Sequence, residues 1–436
     1  MEAETLVYVD LHGKPYLVGH LWTRTRQGKD SATFEYDKEW RSNPLHFSLE
    51  PALTLGSGPF HIGDRALFGA IGDSAPDRWG RALMGRAERR RATHDGKTAR
   101  TLREIDYLLM VDDEARQGAL RFAAQKDGPF LAANGKNRIP PLVDLPRLLS
   151  AAEHVLSDQD SDEDLRLLLA PGSSLGGARP KASVRDRDGH LAIAKFPNQG
   201  DEINSVLWEA VALTLASKAG INVPEWRLEV VGKRPVLVLR QFDRVKGNRI
   251  PFVSSMSMLN ARDNEQRSYM EFVDMLRQVG AAPKEDMRML WRRIVLSILI
   301  SNTDDHLRNH GFLYNHPAGW RLSPAYDLNP VPIDIKPRIL STTIDLDDAS
   351  ASIELALQVA SYFEVSASDA HQIAYEVATT VTSWRTIAAG LGLSTSQIER
   401  MASAFEHPEI QKALAGKPII SPKPASKGRR KPTAQS

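Results

Sequence analysis

Thr303-Asp304-Asp305-His306-Leu307-Arg308-Asn309 is the stretch on which the reading of this chain turns. It follows Ile294-Val295-Leu296-Ser297-Ile298-Leu299-Ile300, a run apolar on most faces of a helix and therefore buried. It precedes Gly311-Phe312-Leu313-Tyr314, which with Trp320-Arg321-Leu322 brackets residues 315–319 as a hairpin. A carboxylate, Asp304, and an amide, Asn309, thus stand five residues apart on a loop delivered by a core helix, and Asp327 returns beyond the hairpin. Amide and carboxylate oxygens suit a hard divalent cation. An isolated carboxylate on such a loop suits orienting a hydroxyl and accepting its proton. Asp304 is taken for that role, with Asp305 the runner-up, and His306 is read as fixing the loop by packing or hydrogen bonding.

An Asp, an Asn five on and a later Asp is a spacing that protein kinases use, and it demands a glycine loop and a strand lysine upstream. Pro171-Gly172-Ser173-Ser174-Leu175-Gly176-Gly177-Ala178-Arg179-Pro180-Lys181 supplies small residues whose backbone N–H groups can approach phosphate oxygens. No Gly-Lys-Ser/Thr follows, so it is not a Walker motif. Such a loop alone is weak, since most glycine-rich loops are only loops. Two strand patterns follow, 182–185 and 191–196, joined through the hairpin signal Asp188-Gly189. They end on Lys195, where an ammonium could meet α- and β-phosphates. A helix from about Asn204 to Lys218 carries Glu209, the expected partner of Lys195, with Glu202 in competition. A further hairpin, 226–239, runs into Arg240-Gln241-Phe242-Asp243. That segment is either an adenine-reading connector with Asp243 near a ribose or simply an interlobe link. The candidate nucleotide contacts are Lys195, Ser174, Gly176, Gly177, Ala178, Lys181, Arg240, Phe242, Asp243 and Glu209, and the magnesium ligands Asn309 and Asp327.

The remaining chain bounds the answer. At 436 residues it can hold two or three domains. A net charge of +2 gives no global argument for nucleic acid or membrane. The absence of cysteine removes disulfides, thiolate metal sites and cysteine nucleophiles, and fits a cytoplasmic setting. No apolar run reaches the roughly twenty residues a membrane helix needs. Residues 1–150 read as β-rich, then helical, with Asp73-Ser74-Ala75-Pro76 opening a helix through its capping oxygens and a first-turn proline. Arg86 to Arg91 on that helix is read as a solvated end rather than a polyanion site. Residues 151–245 form the nucleotide lobe, 246–416 a helical lobe, and 417–436 a basic, disordered tail.

Two rival readings share these residues. His306 and His310, four apart beside Asp304 and Asp305, could serve a metal-dependent hydrolase. The loop-to-strand pattern at Asn309-His310-Gly311 spoils the shared helix face, however. A catalytically weak kinase-fold corepressor would keep the architecture without needing all four of Lys195, Asp304, Asn309 and Asp327.

Taken in order, Asp73-Ser74-Ala75-Pro76-Asp77-Arg78-Trp79-Gly80-Arg81, residues 174–181, Asn302 to Asn309 and Ala325-Tyr326-Asp327-Leu328 resemble the HipA family of serine/threonine kinases. These are the toxins of bacterial type II toxin–antitoxin modules. The resemblance implies an α+β, two-lobed protein-kinase-like fold with a small N-terminal β-rich subdomain and a mainly helical C-terminal lobe. It implies ATP and Mg2+ as cofactors and Asp304 as the base. Inhibitory autophosphorylation would fall at Ser174 or the adjacent Ser173. It further implies an aminoacyl-tRNA synthetase as protein substrate and a small helix-turn-helix, HipB-like antitoxin, with operator DNA reached mainly through that partner. Asp327 lacks a following Phe-Gly and lies further from Asp304 than in common eukaryotic kinases, which puts their activation-segment mechanism in doubt.

Overall fold

The structure, a computed structural model, describes residues 2–63, 65–133, 139–169, 177–198 and 200–416. Its first layer is an antiparallel sheet of β1 (Glu2–Leu11), β2 (Lys14–Arg26), β3 (Lys29–Tyr36), β4 (Phe60–Ile62) and β5 (Leu120–Ala123), in the order β4-β3-β2-β1-β5. The β1–β2 turn is set by His12 and Gly13, both at positive φ, which matches the twist a tight hairpin needs. Val7 and Val9, and Ala32, Phe34 and Tyr36, are buried at alternate positions, as strand geometry requires, while buried Val18 and Leu21 fall three apart across a shift in the β1–β2 register.

From this sheet the chain passes through a short helix, Gly69–Gly72, to the long helix Arg78–His94. The cap differs from the sequence reading. Asp77, not Ser74 or Asp73, accepts from the Gly80 N–H at 2.8 Å, and Pro76 stands ahead of the cap rather than in the first turn. Asp73 instead closes the preceding helix. Arg86 and Arg90 on the long helix meet Asp158 and Asp160, so their acidic partner is the chain's own 158–164 run.

A second sheet holds β6 (Lys181–Arg185), β7 (Leu191–Lys195), β8 (Trp226–Val231) and β9 (Arg234–Arg240), ordered β6-β7-β9-β8. Both faces are covered, which explains the unbroken apolar run of β9. Val236 and Val238 pack with Trp79, Leu83 and the helices Leu145–Leu156 and Asp162–Leu169. Leu237 and Leu239 point to the larger core, which includes the helix Ser205–Lys218. A division at residue 150 therefore cuts through the layer that covers this sheet, because Trp79 and Leu83 belong to it.

After a two-residue ladder, β10 (Arg244–Val245) with β11 (Asn248–Arg249), the chain enters a helical lobe around the buried helix Pro283–Leu299. A small sheet of β12 (Phe252–Ser254), β13 (Gly311–Asn315) and β14 (Gly319–Leu322) lies beside it, and β12 has no counterpart in the sequence reading. Helices from Ile353–Val359 to Pro408–Ala415 complete the lobe. The tail 417–436 lies outside the described residues. Among the described residues no helix is long and apolar enough to cross a membrane.

Candidate active site

Lys195 ends β7, and its ammonium lies 2.7 and 2.8 Å from the two Glu209 oxygens and 2.9 Å from Asp327 Oδ1. Glu209 reaches it because the helix Ser205–Lys218, capped by Asn204, is buried on nearly every face. Glu202, the competitor, lies before that helix and pairs with Arg400 instead. Burial disfavours the Lys195 charge, but Asp327 and Glu209 outweigh it and hold the ammonium protonated above the ordinary lysine value. Burial likewise works against the Asp327 carboxylate, and the charges of Lys195 and then Lys181 prevail, keeping it ionised below the usual carboxylate range. Asp327 also sits at φ 58°, a left-handed conformation that Asp and Asn tolerate better than most residues.

The catalytic-loop candidates divide sharply by exposure. Asp304 is exposed, and its carboxylate meets Lys336 Nζ at 3.0 Å. Asp305 is buried. It accepts from Tyr269 Oη at 2.5 Å and Ser297 Oγ at 3.1 Å and pairs with His310 Nε2 at 3.0 Å. Despite its burial, these neighbours hold it below the ordinary value, and it serves as a tie within the lobe. Asn309 is buried; its Nδ2 donates to the Asp304 carbonyl at 3.1 Å, and its Oδ1 has no partner among the described residues. Asn302 pins the return segment, accepting from the Asn329 N–H at 3.0 Å, while Tyr326 Oη donates to the Arg308 carbonyl at 2.8 Å. These bonds attach residues 326–329 to the loop that carries Asp304 and Asn309.

A magnesium ion fits the donor set. Asn309 offers a buried amide oxygen without a partner among the described residues, and Asp327 a carboxylate kept ionised. The rival hydrolase lacks an equivalent. Among the described residues no group of three or more His, Cys, Asp and Glu could hold a metal, and His310 is committed to Asp305.

The remaining candidates differ in their placement. Ser173, Ser174 and Gly176 lie outside the described residues. Gly177, at φ 77°, and Ala178 are exposed beside the strand start. Lys181 does not project from a loop: it is the first residue of β6 and is buried against Asp77 at 2.7 Å. Arg240 pairs with Glu225. Phe242 packs on Tyr326 with ring centroids 5.4 Å apart. Asp243, read as near a ribose or as part of an interlobe link, takes part in a link. Its buried carboxylate accepts from the Gly118 N–H at 2.5 Å and pairs with Arg244 at 2.9 Å, tying the connector to the N-terminal region. Sequence reasoning missed Asp77 and Lys336, whose partners lie 104 and 32 residues away. It also missed Gln241, a buried connector side chain whose two amide atoms have no partner among the described residues.

Comparisons with known proteins bear on the domain and the fold. Residues 173–385 match the family model described as HipA-like C-terminal domain. "Putative kinase Y4mE" of Sinorhizobium fredii is 26% identical over 48% of this chain and 54% of its own length. A "Putative kinase" of Haemophilus influenzae is 26% identical over 40% of this chain and 56% of its own. The chain thus spans about half the length of these curated relatives. Among solved structures, the Shewanella oneidensis MR-1 HipA toxin–antitoxin complex with HipB and its operator DNA superposes with a TM-score of 0.63 at 15% identity. That match covers 94% of this chain and 96% of that one. Residues 173–385 therefore resemble a HipA-like C-terminal domain, and the chain has the α+β, kinase-like fold seen in the Shewanella HipA structure, as its motifs led us to expect.

Proposed function

We propose that this chain is an ATP- and Mg2+-dependent protein serine/threonine kinase that acts as the toxin of a type II toxin–antitoxin module. The observation that carries the reading is Lys195, clamped between Glu209 and Asp327, on a sheet that follows a glycine-rich segment. A strand lysine held by a helix glutamate is the arrangement kinases use to fix nucleotide phosphates.

On this reading Lys195 binds phosphate oxygens, and Glu209 keeps its ammonium in place. Asn309 and Asp327 hold the magnesium, which when bound neutralises charge on the phosphate oxygens. Asp304, exposed at the lobe surface, orients the acceptor hydroxyl of a protein substrate and takes its proton. Lys336 occupies Asp304 and must yield to that hydroxyl. Self-modification at Ser174 or Ser173 would add charge to the segment ahead of β6. A HipB-like antitoxin and operator DNA bound through it are supported by the family resemblance and by the partners in the Shewanella complex; an aminoacyl-tRNA synthetase as substrate is supported by the resemblance alone.

Purified protein given labelled ATP and magnesium is expected to transfer phosphate to itself and to a cellular protein, with modified Ser173 or Ser174 found by mass spectrometry. Asp304→Ala should reduce both transfers by about 10²–10⁴-fold, the range for loss of a positioned base. Transfer that persists in that variant would remove Asp304 from its role.

A further inference from the structure

Asp73-Ser74-Ala75-Pro76-Asp77 links the short helix Gly69–Gly72 to the long helix Arg78–His94, and its polar groups leave in two directions. Toward the helical lobe, buried Asp73 accepts from the Ser254 N–H at 2.7 Å and from Ser254 Oγ at 2.8 Å. Ser254 ends β12 and is paired with Gly311 of β13, two residues beyond Asn309. Toward the nucleotide lobe, Asp77 meets Lys181 Nζ at 2.7 Å, with both side chains only 4% exposed. Trp79 Nε1 donates to the Lys181 carbonyl at 3.0 Å. Between the two carboxylates, buried Arg116 donates to the Ser74 carbonyl at 3.1 Å and fixes the middle of the segment.

The sheet register gives this arrangement its meaning. Lys181 and Lys195 are direct cross-strand partners, so both side chains emerge on one face. Like charges placed opposite one another repel, and each lysine is met by acidic groups from elsewhere in the fold. Lys195 has Glu209 and Asp327; Lys181 has Asp77. Packing and helix capping together do not account for a charge at position 77, because an uncharged Asn or Ser would accept from the Gly80 N–H as Asp77 Oδ1 does, while Oδ2 is given to Lys181. Trp79 and Leu83 already bind the same helix to the sheet through apolar contact, and a buried ion pair stabilises a fold little better than apolar side chains would.

We propose that Asp73–Asp77 is an interlobe staple through which the N-terminal region becomes part of the nucleotide site. Asp77 is a positioning residue that sets Lys181 beside Lys195 for the phosphates. Asp73 couples that position to the strand pair leaving the catalytic loop. The inference rests on the kinase reading above and extends it, because it makes phosphate binding depend on a segment far from the kinase motifs.

The test uses the full chain, a fluorescent ATP analogue with magnesium, and hydrogen exchange. Asp77→Asn should weaken analogue binding by about tenfold, the scale of one lost charge-assisted hydrogen bond, and Asp77→Glu should restore part of it. Since Asp77→Asn leaves a buried lysine uncompensated and can unfold the chain, the companion is Asp77→Asn combined with Lys181→Met. That pair should melt near wild type yet bind as weakly as Asp77→Asn. Asp73→Asn and Asp77→Asn should each speed exchange in both β6 and β12. A neutral pair that binds the analogue like wild type, or variants that loosen only their own strand, would overturn the staple. A wild-type chain that binds no analogue would instead defeat the kinase reading beneath it.

Discussion

Lys195, Glu209 and Asp327 are 16%, 4% and 20% exposed and share two ion pairs within the fold. Asp304 is 57% exposed and pairs with Lys336, itself 38% exposed. Both regions are built from carboxylates and ammonium groups, yet they stand in different media. In the cluster, desolvation makes each charge depend on its neighbours, so the positions are set before any ligand arrives. At Asp304, water screens the pair and the side chains can part at little cost. On the function proposed above, a small nucleotide would need fixed groups and a large protein substrate a releasable one, and the two regions supply one each.

Substituting the central lysine should separate the two regions most strongly. Lys195→Met leaves Glu209 and Asp327 facing one another in the interior, with an expected cost of about 3–5 kcal/mol in stability, read by urea unfolding. Asp304→Ala, for all its effect on transfer, should leave the same unfolding curve within about 0.5 kcal/mol. If Lys195→Met unfolds like wild type, the cluster is not the prearranged unit described here.

An intermediate effect is expected between the N-terminal region and the helical lobe. Glu50 is buried, and its Oε2 accepts from the Ala70 N–H. Burial first, and then repulsion from Asp73, push its carboxyl up to about 7, against the pull of the Ala70 and Gly69 N–H groups and of Arg65. Above the ordinary value of 4.5 the unfolded chain gives up this proton while the folded chain keeps it until about pH 7. Stability should therefore fall as pH rises through that window, by on the order of 3 kcal/mol. Glu50→Gln should flatten the change in melting temperature between pH 5 and pH 8. Parallel curves for the two proteins would show that another group titrates there. The smallest effect belongs to Lys336→Ala, expected, like Asp304→Ala, to change stability by less than about 0.5 kcal/mol in the same unfolding assay. A larger loss would place that pair with the buried cluster rather than with the surface.

What could be read from the residues follows the distance between partners. The loop holding Asp304 and Asn309 was legible because a buried helix, a short polar run and a hairpin succeed one another locally. The Lys195–Glu209 pair was legible as far as Glu209 or Glu202; only the burial of the helix decides between them. Asp243 could be read only as near a ribose or as part of an interlobe link, because its partner, the Gly118 N–H, lies 125 residues away. Asp77 went unseen for the same reason, since nothing within a turn of it points to Lys181. Asp304 and Asp305 are adjacent and chemically alike. What separates them is that one faces water and the other is enclosed by Tyr269, Ser297 and His310.

The left-handed backbone at Asp327 narrows what evolution or an engineer can place there. Asparagine and glycine enter that conformation readily, so neutralising or erasing the side chain keeps the peptide path intact. Glutamate, which keeps the charge, must bear a conformational penalty and also carries its oxygens one methylene farther out. Position 327 thus accepts loss of function more easily than a conservative acid, and silent relatives should be sought among chains that read Asn or Gly there.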